Sequence, residues 1–177
     1  MKIKRIIFLF LYYCIFRYLP VSYHWIFGTI SKRLRYICAK NIFKSCGYNV
    51  NIERLAHFGN GKDIEIGDNS GLGINCCVPN NIKIGKNVMM GPNCYILAAN
   101  HKFDRIDIPM IQQGETEVLQ TIIYDDVWIG RNVLLTPGRL IQTGTIIGAG
   151  ALVSKDFPPY SVIGGNPAKV IKSRLNL

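Results

Sequence analysis

The sequence predicts a mainly β chain: a coil of very short parallel strands, preceded by a helical segment and closed by a short helical tail. Three observations carry this. Aliphatic residues recur at every sixth position, at Ile66, Leu72, Val78, Ile84, Met90 and Ile96, and again at Ile123, Ile129, Leu135, Ile141, Ile147 and Val153. Glycine follows that position at Gly67, Gly73, Gly85, Gly91, Gly130 and Gly148. The first 45 residues hold nine Lys/Arg and no Asp or Glu, whereas the remaining 132 hold twelve basic and eleven acidic side chains. A period of six matches neither a helix nor a strand seen edge-on. It matches the rungs of a solenoid, each sending one aliphatic side chain into a narrow axis, with glycine expected to permit the turn backbone.

Taken in order, residues 1–45 read as helical, broken near Pro20 and again near Gly28. Their longest apolar run, Ile6 to Phe16, is too short to span a bilayer, which needs about 20 residues. It is followed by Arg17-Tyr18-Leu19-Pro20, with no small-x-small cleavage site, so the segment is expected to stay on a cytosolic chain. Two roles remain open for it. A basic segment carrying Phe, Tyr, Ile and Trp suits peripheral association with an anionic membrane surface. The alternative is a cap whose apolar face packs on the coil and whose cations are solvated. Nucleic acid is set aside as a partner, because no nucleic-acid-reading motif accompanies the charge.

Residues 46–157 are read as the coil. The two six-residue runs amount to about four turns, with Val50-Asn51-Ile52 and Phe58 starting an earlier one. Residues 100–120 interrupt it as an irregular excursion, and a loop of that length in a compact fold is usually functional. In residues 158–177, Pro158-Pro159 close the last turn, and Gly164-Gly165-Asn166-Pro167 is read as feeding a short helix that carries Lys169 and Lys172. The composition, 49% hydrophobic with net charge +10, excludes a disordered chain. Six cysteines without a CxxC pair are read as free, buried thiols.

Of three histidines, His24, His57 and His101, the last opens the excursion in Ala98-Ala99-Asn100-His101-Lys102-Phe103-Asp104. Downstream come Asp107-Ile108-Pro109, Gln113-Gly114-Glu115 and Val127-Trp128-Ile129-Gly130. With the six-residue repeat, these residues resemble the hexapeptide-repeat family over residues 49–175, closest to its sugar and polysaccharide O-acetyltransferases of the galactoside and maltose type. That resemblance implies a left-handed, triangular parallel β-helix, acetyl-CoA as co-substrate, and a homotrimer with sites shared between subunits. It implies His101 as catalytic base beside Asn100, with Glu115 in the same site. Asp104, Glu115 or a loop carbonyl could orient the imidazole.

The resemblance also carries coenzyme A contacts onto Trp128, Arg131, Ala149, Ser154, Lys155, Lys169 and Lys172. Asn75 and Asp104 are the residues it offers to a saccharide acceptor, while Gly73 stands where the family often has an acceptor-binding asparagine. Arg139 stands where the family usually has an inward valine, and Gln142 replaces a turn glycine. The chemistry follows from residue type. A hydroxyl attacks a thioester only as its proton leaves, and imidazole is the side chain whose titration lies nearest neutral pH. No serine or cysteine stands out as a covalent nucleophile, so direct transfer is expected.

The expected function is acetyl transfer to a saccharide, in building a surface polysaccharide. An antibiotic O-acetyltransferase and a non-catalytic β-helix scaffold are the rivals. Zinc hydration chemistry on the same fold needs histidines converging on one metal, and three scattered histidines argue against a metal site.

Overall fold

The computed structural model describes residues 2–176. Helix α1 (Lys2–Cys14) is followed by a 3-10 turn (Phe16–Tyr18) and helix α2 (Gly28–Ile42). Gly28 opens α2 where the sequence places a break. A Cβ there would lie 2.4 Å from the Ser22 carbonyl oxygen. No helix among the described residues is long and apolar enough to cross a membrane.

From Ser45 onward the chain winds into a three-faced coil. The first face stacks Ser45–Cys46, Glu65–Ile66, Lys83–Ile84, Ile122–Ile123 and Leu140–Ile141 in parallel. The second stacks Asn51–Ile52 on Gly71–Leu72, and Met89–Met90, Trp128–Ile129, Ile146–Ile147 and Ser161–Gly164 on one another. The Gly71 N–H joins the two stacks by donating to the Val88 carbonyl at 3.1 Å. On the third face, single bridges at His57 and Cys77 lead to Tyr95–Ile96, Leu134–Leu135 and Leu152–Val153.

The sixth-position aliphatics fill the axis; all are buried except Met90, which is half-buried. A second inward row lies two residues earlier, with Ile64, Ser70, Cys76, Ile82, Val88 and Cys94. Its polar members bond to coil carbonyls: Ser70 Oγ donates to Gly85 at 2.6 Å, and the Cys76 and Cys94 thiols donate to Gly91, both at 3.2 Å. All six cysteines are free thiols. Burial pushes Cys38 up to about 12 and Cys46 up to about 11, which suits packing rather than nucleophilic work.

Glycine serves the coil differently from the expectation. None of the repeat glycines Gly67, Gly73, Gly85, Gly91, Gly130 and Gly148 has positive φ. They are needed because the next turn lies against them: a Cβ on Gly73 would sit 2.2 Å from the Gly91 carbonyl oxygen. The left-handed corner falls two residues later and belongs to asparagine, at Asn69, Asn75, Asn87, Asn93 and Asn132. These side chains form ladders along the edges. Asn75 donates to Asn93 at 3.0 Å, and Asn93 to Asn132 at 3.1 Å. Gln142 follows the last strand of the first face, where no further strand stacks and glycine is not required. Arg139 escapes sideways from the axis, its guanidinium donating to the Ser154 carbonyl at 3.1 Å and pairing with Asp156 at 3.4 Å.

The tail corrects the sequence reading. Residues Lys169–Ser173 form a strand antiparallel to Ser161–Gly164, not a helix, and only the 3-10 turn Arg174–Asn176 is helical. Ser161–Gly164 is the last rung of its face, and its outer edge would otherwise be unpaired. Gly165, at φ +95°, reverses the chain onto that edge, and β-branched Val170 and Ile171 suit a strand.

The N-terminal segment covers the open end of the coil. Tyr12 is fully buried, its hydroxyl donating to the Ala56 carbonyl at 2.8 Å and its ring 4.5 Å from that of Phe58. Arg35 of α2, also fully buried, donates to Ile52 and Pro20 carbonyls at 2.5 and 2.9 Å. It also donates to Ser22 Oγ at 3.1 Å and pairs with Glu53 at 3.6 Å. One guanidinium therefore ties together α2, the connecting loop and the first turn.

Candidate active site

The excursion, expected to be irregular, is a paired limb. Thr116 N–H donates to the Asn100 carbonyl at 2.7 Å, and Lys102 N–H donates to the Gly114 carbonyl at 3.0 Å. These bonds flank an antiparallel bridge between His101 and Glu115. In such a pattern the bridged residues exchange no backbone bond themselves, and their Cβ atoms make the closer kind of cross-strand pair. Imidazole and carboxylate therefore leave the limb side by side. Asn100 is held further by its own N–H, which donates to Thr116 Oγ1 at 2.9 Å. Both His101 and Glu115 are exposed, and so is Asp104. At the far end of the limb Ile106 is fully exposed and Ile111 is 87% exposed.

The other residues singled out by sequence divide between two edges of the third face. The limb leaves the coil just after Tyr95–Ile96, and Ser154 and Lys155 leave the same edge after Leu152–Val153. Arg139, bonded to the Ser154 carbonyl, braces that turn from behind. Across the face, Arg131 and Ala149 are exposed on successive turns, where Gly150 N–H donates to the Arg131 carbonyl at 2.8 Å. Trp128 projects from the second face, paired in register with Met89 below and Ile146 above. Lys169 and Lys172 extend that face on the terminal strand, opposite Gly164 and Val162. The chain thus brings His101, Glu115, Ser154 and Lys155 to one edge and Trp128, Arg131, Ala149, Lys169 and Lys172 to another. Asn75 belongs to the asparagine ladder on the second of these edges.

His24 and His57 do other work. His24 Nδ1 accepts the Ile26 and Phe27 N–H groups, each at 3.3 Å, and His57 stacks edge-on against Tyr13. Among the described residues, no three metal-ligating side chains come together.

A groove of about 260 Å³ on the second face was missed from the sequence. It is lined by Lys32 of α2 and by Asn51, Glu53, Ser70, Gly71 and Met89. The Glu53 carboxylate is aimed by Arg35 and accepts the Ser22 N–H at 3.1 Å. Amides, a carboxylate and an ammonium in one small groove can bond several hydroxyls at once. One signal was available: Glu53 is the first acidic residue of the chain, after a segment rich in cations.

Over 135 residues the chain is 33% identical to the galactoside O-acetyltransferase of Escherichia coli K12, matching 75% of this chain. The chain spans 65% of that enzyme's length, just under two thirds. A maltose O-acetyltransferase structure from Clostridium difficile 630 superposes with TM-score 0.75 at 30% identity, covering 97% of this chain and 87% of that one. A galactoside acetyltransferase structure in complex with coenzyme A superposes with TM-score 0.78 at 29% identity, covering 97% and 81%. No family model matches the chain. The three-faced coil with its outlying limb, superposable almost end to end on such structures, places this chain in the hexapeptide-repeat acetyltransferase family, as a left-handed parallel β-helix.

Proposed function

We propose that this chain is an acetyl-CoA-dependent O-acetyltransferase that acylates a saccharide hydroxyl in the synthesis of a surface polysaccharide. The observation that carries the reading is the close pairing of His101 with Glu115 on an outward-facing limb. His101 accepts the hydroxyl proton as the oxygen attacks the thioester carbonyl. A C–O bond forms, the C–S bond breaks, and the imidazolium returns the proton to the departing thiolate. Glu115, or Asp104 further along the limb, holds the other ring nitrogen as N–H and stabilises the imidazolium. Coil N–H groups meet the oxyanion.

Arg131, Lys155, Lys169 and Lys172 supply charge for the phosphates of coenzyme A. Trp128, Ala149 and Ser154 line its pantetheine arm. The groove beside Glu53 receives the sugar. The acetyl donor and the acceptor are the only other reactants this chemistry requires.

The working unit is a homotrimer. His101 and the Trp128–Lys172 group lie at different edges of one subunit, and the limb ends in exposed apolar residues. Closed three-fold symmetry lets the limb of each subunit reach the second face of the next, completing three equivalent sites. The unit works in the cytoplasm, peripheral at the inner face of the membrane. Labelled acetyl-CoA offered with the host's polysaccharide intermediates, and separately with antibiotic alcohols, tests the reading. Label on a saccharide hydroxyl is expected; label on an antibiotic alone would favour the rival, and label on neither would contradict acetyl transfer.

A further inference from the structure

We infer that the outer surface formed by α1 and the approach to α2 docks on an anionic lipid surface, while the inner surface of the same helices caps the coil. This deepens the membrane location proposed above and rests on it, but not on the identity of the acceptor. Helix α1 is apolar nearly all round, which in a water-exposed helix leaves one side unexplained. Its inner side is accounted for: Tyr12 is buried, and Phe8, Leu9 and Leu11 pack against the core. Its outer side is not. Ile3, Ile6, Ile7 and Phe10 share one helical face and are all more than half exposed. The approach to α2 is exposed in the same way: Tyr23 and Trp25 are 77% and 88% exposed and Ile26, Phe27 and Ile30 more than half exposed. These nine large apolar side chains, exposed within the first 30 residues, mark an interaction site.

Charge selects the occupant. The first 52 residues contain no Asp or Glu. The fold itself uses some of the cations: Arg35 is buried, Arg17 donates to the Leu55 carbonyl at 3.3 Å, Lys32 donates to Asn49 Oδ1 at 3.0 Å and Lys44 pairs with Glu65 at 2.7 Å. Lys4, Arg33 and Lys40 remain exposed beside the apolar stripe. Arg33 and Lys40 lie on the same face of α2 as Ile30 and Ile37. Apolar side chains with an exposed tryptophan, fringed by cations, match the acyl boundary and headgroups of an anionic bilayer.

Co-sedimentation of the full chain with phosphatidylcholine vesicles, with and without phosphatidylglycerol, tests this. Binding is expected only with the anionic lipid, falling as salt is raised. Lys4→Gln, Arg33→Gln and Lys40→Gln should each weaken it about five-fold and flatten the salt dependence. Ile6→Ser with Phe10→Ser should weaken it about ten-fold or more at any salt. None of these changes should alter thermal stability or acetyl transfer to a soluble acceptor. An unaltered chain that binds the anionic vesicles but transfers no acetyl group would support the docking surface and count against the proposed reaction alone. Equal binding to both vesicle types, or no binding, would overturn the inference. So would light scattering in which Ile6→Ser with Phe10→Ser dissolves a larger assembly, because the stripe would then belong to a second copy of the chain.

Discussion

His101 and Glu115 lie opposite each other because the limb that carries them is a paired ladder, with a backbone bond on either side of the bridged pair. Replacing His101 by Ala should lower turnover about 10²–10⁴-fold with coenzyme A affinity retained, measured by steady-state kinetics and calorimetry. Gly73→Ala should destabilise by about 1–3 kcal/mol in urea unfolding, because the added methyl meets the next turn rather than a disfavoured φ. The place of His101 at the start of the excursion was legible in the sequence, because it stands where the six-residue repeat fails. The asparagine corners were not read, since asparagine two positions after glycine looks like ordinary turn composition until ladder bonds such as Asn75 to Asn93 are seen. Glu53 was missed for a related reason: its partners Arg35 and Ser22 lie 18 and 31 residues away in sequence, and only the fold joins them.

Among the elements, α2 and the first turn of the coil depend on one another through Arg35. Arg35→Met would leave the largely buried Glu53 carboxylate without its counter-charge and strip donors from the Ile52 and Pro20 carbonyls. Unfolding in urea should show a loss of about 3–5 kcal/mol, with Arg35→Met and Glu53→Gln together costing less than the sum of the two. The strands themselves were legible because a period of six leaves no other solution. The terminal strand was not. Two lysines after a Gly-Gly-Asn-Pro turn read as a helix, whereas an uncovered sheet edge decided the outcome. The limb was similarly hidden: its ladder involves only three residues on each side, too few for any periodicity to register.

As a whole molecule, a single chain carries the His101 limb and the Trp128–Lys172 group, the two halves of the proposed site, on opposite edges of the third face. In the three-fold assembly proposed above, unlike edges of neighbouring subunits come together. The proposed assembly would also carry three copies of the α1 surface, so that weak docking by each is multiplied wherever they reach the bilayer together. Light scattering should therefore give a trimer, and a fully active monomer would refute the shared site. The most direct measurement is complementation between two inactive proteins, one carrying His101→Ala and the other Trp128→Asp with Arg131→Glu. Unfolded together and refolded as mixed trimers, they should regain acetyl transfer, because some interfaces pair an intact His101 limb with an intact second face. Mixed trimers as inactive as either parent would contradict a site in which His101 of one subunit works with coenzyme A held by Trp128 and Arg131 of its neighbour.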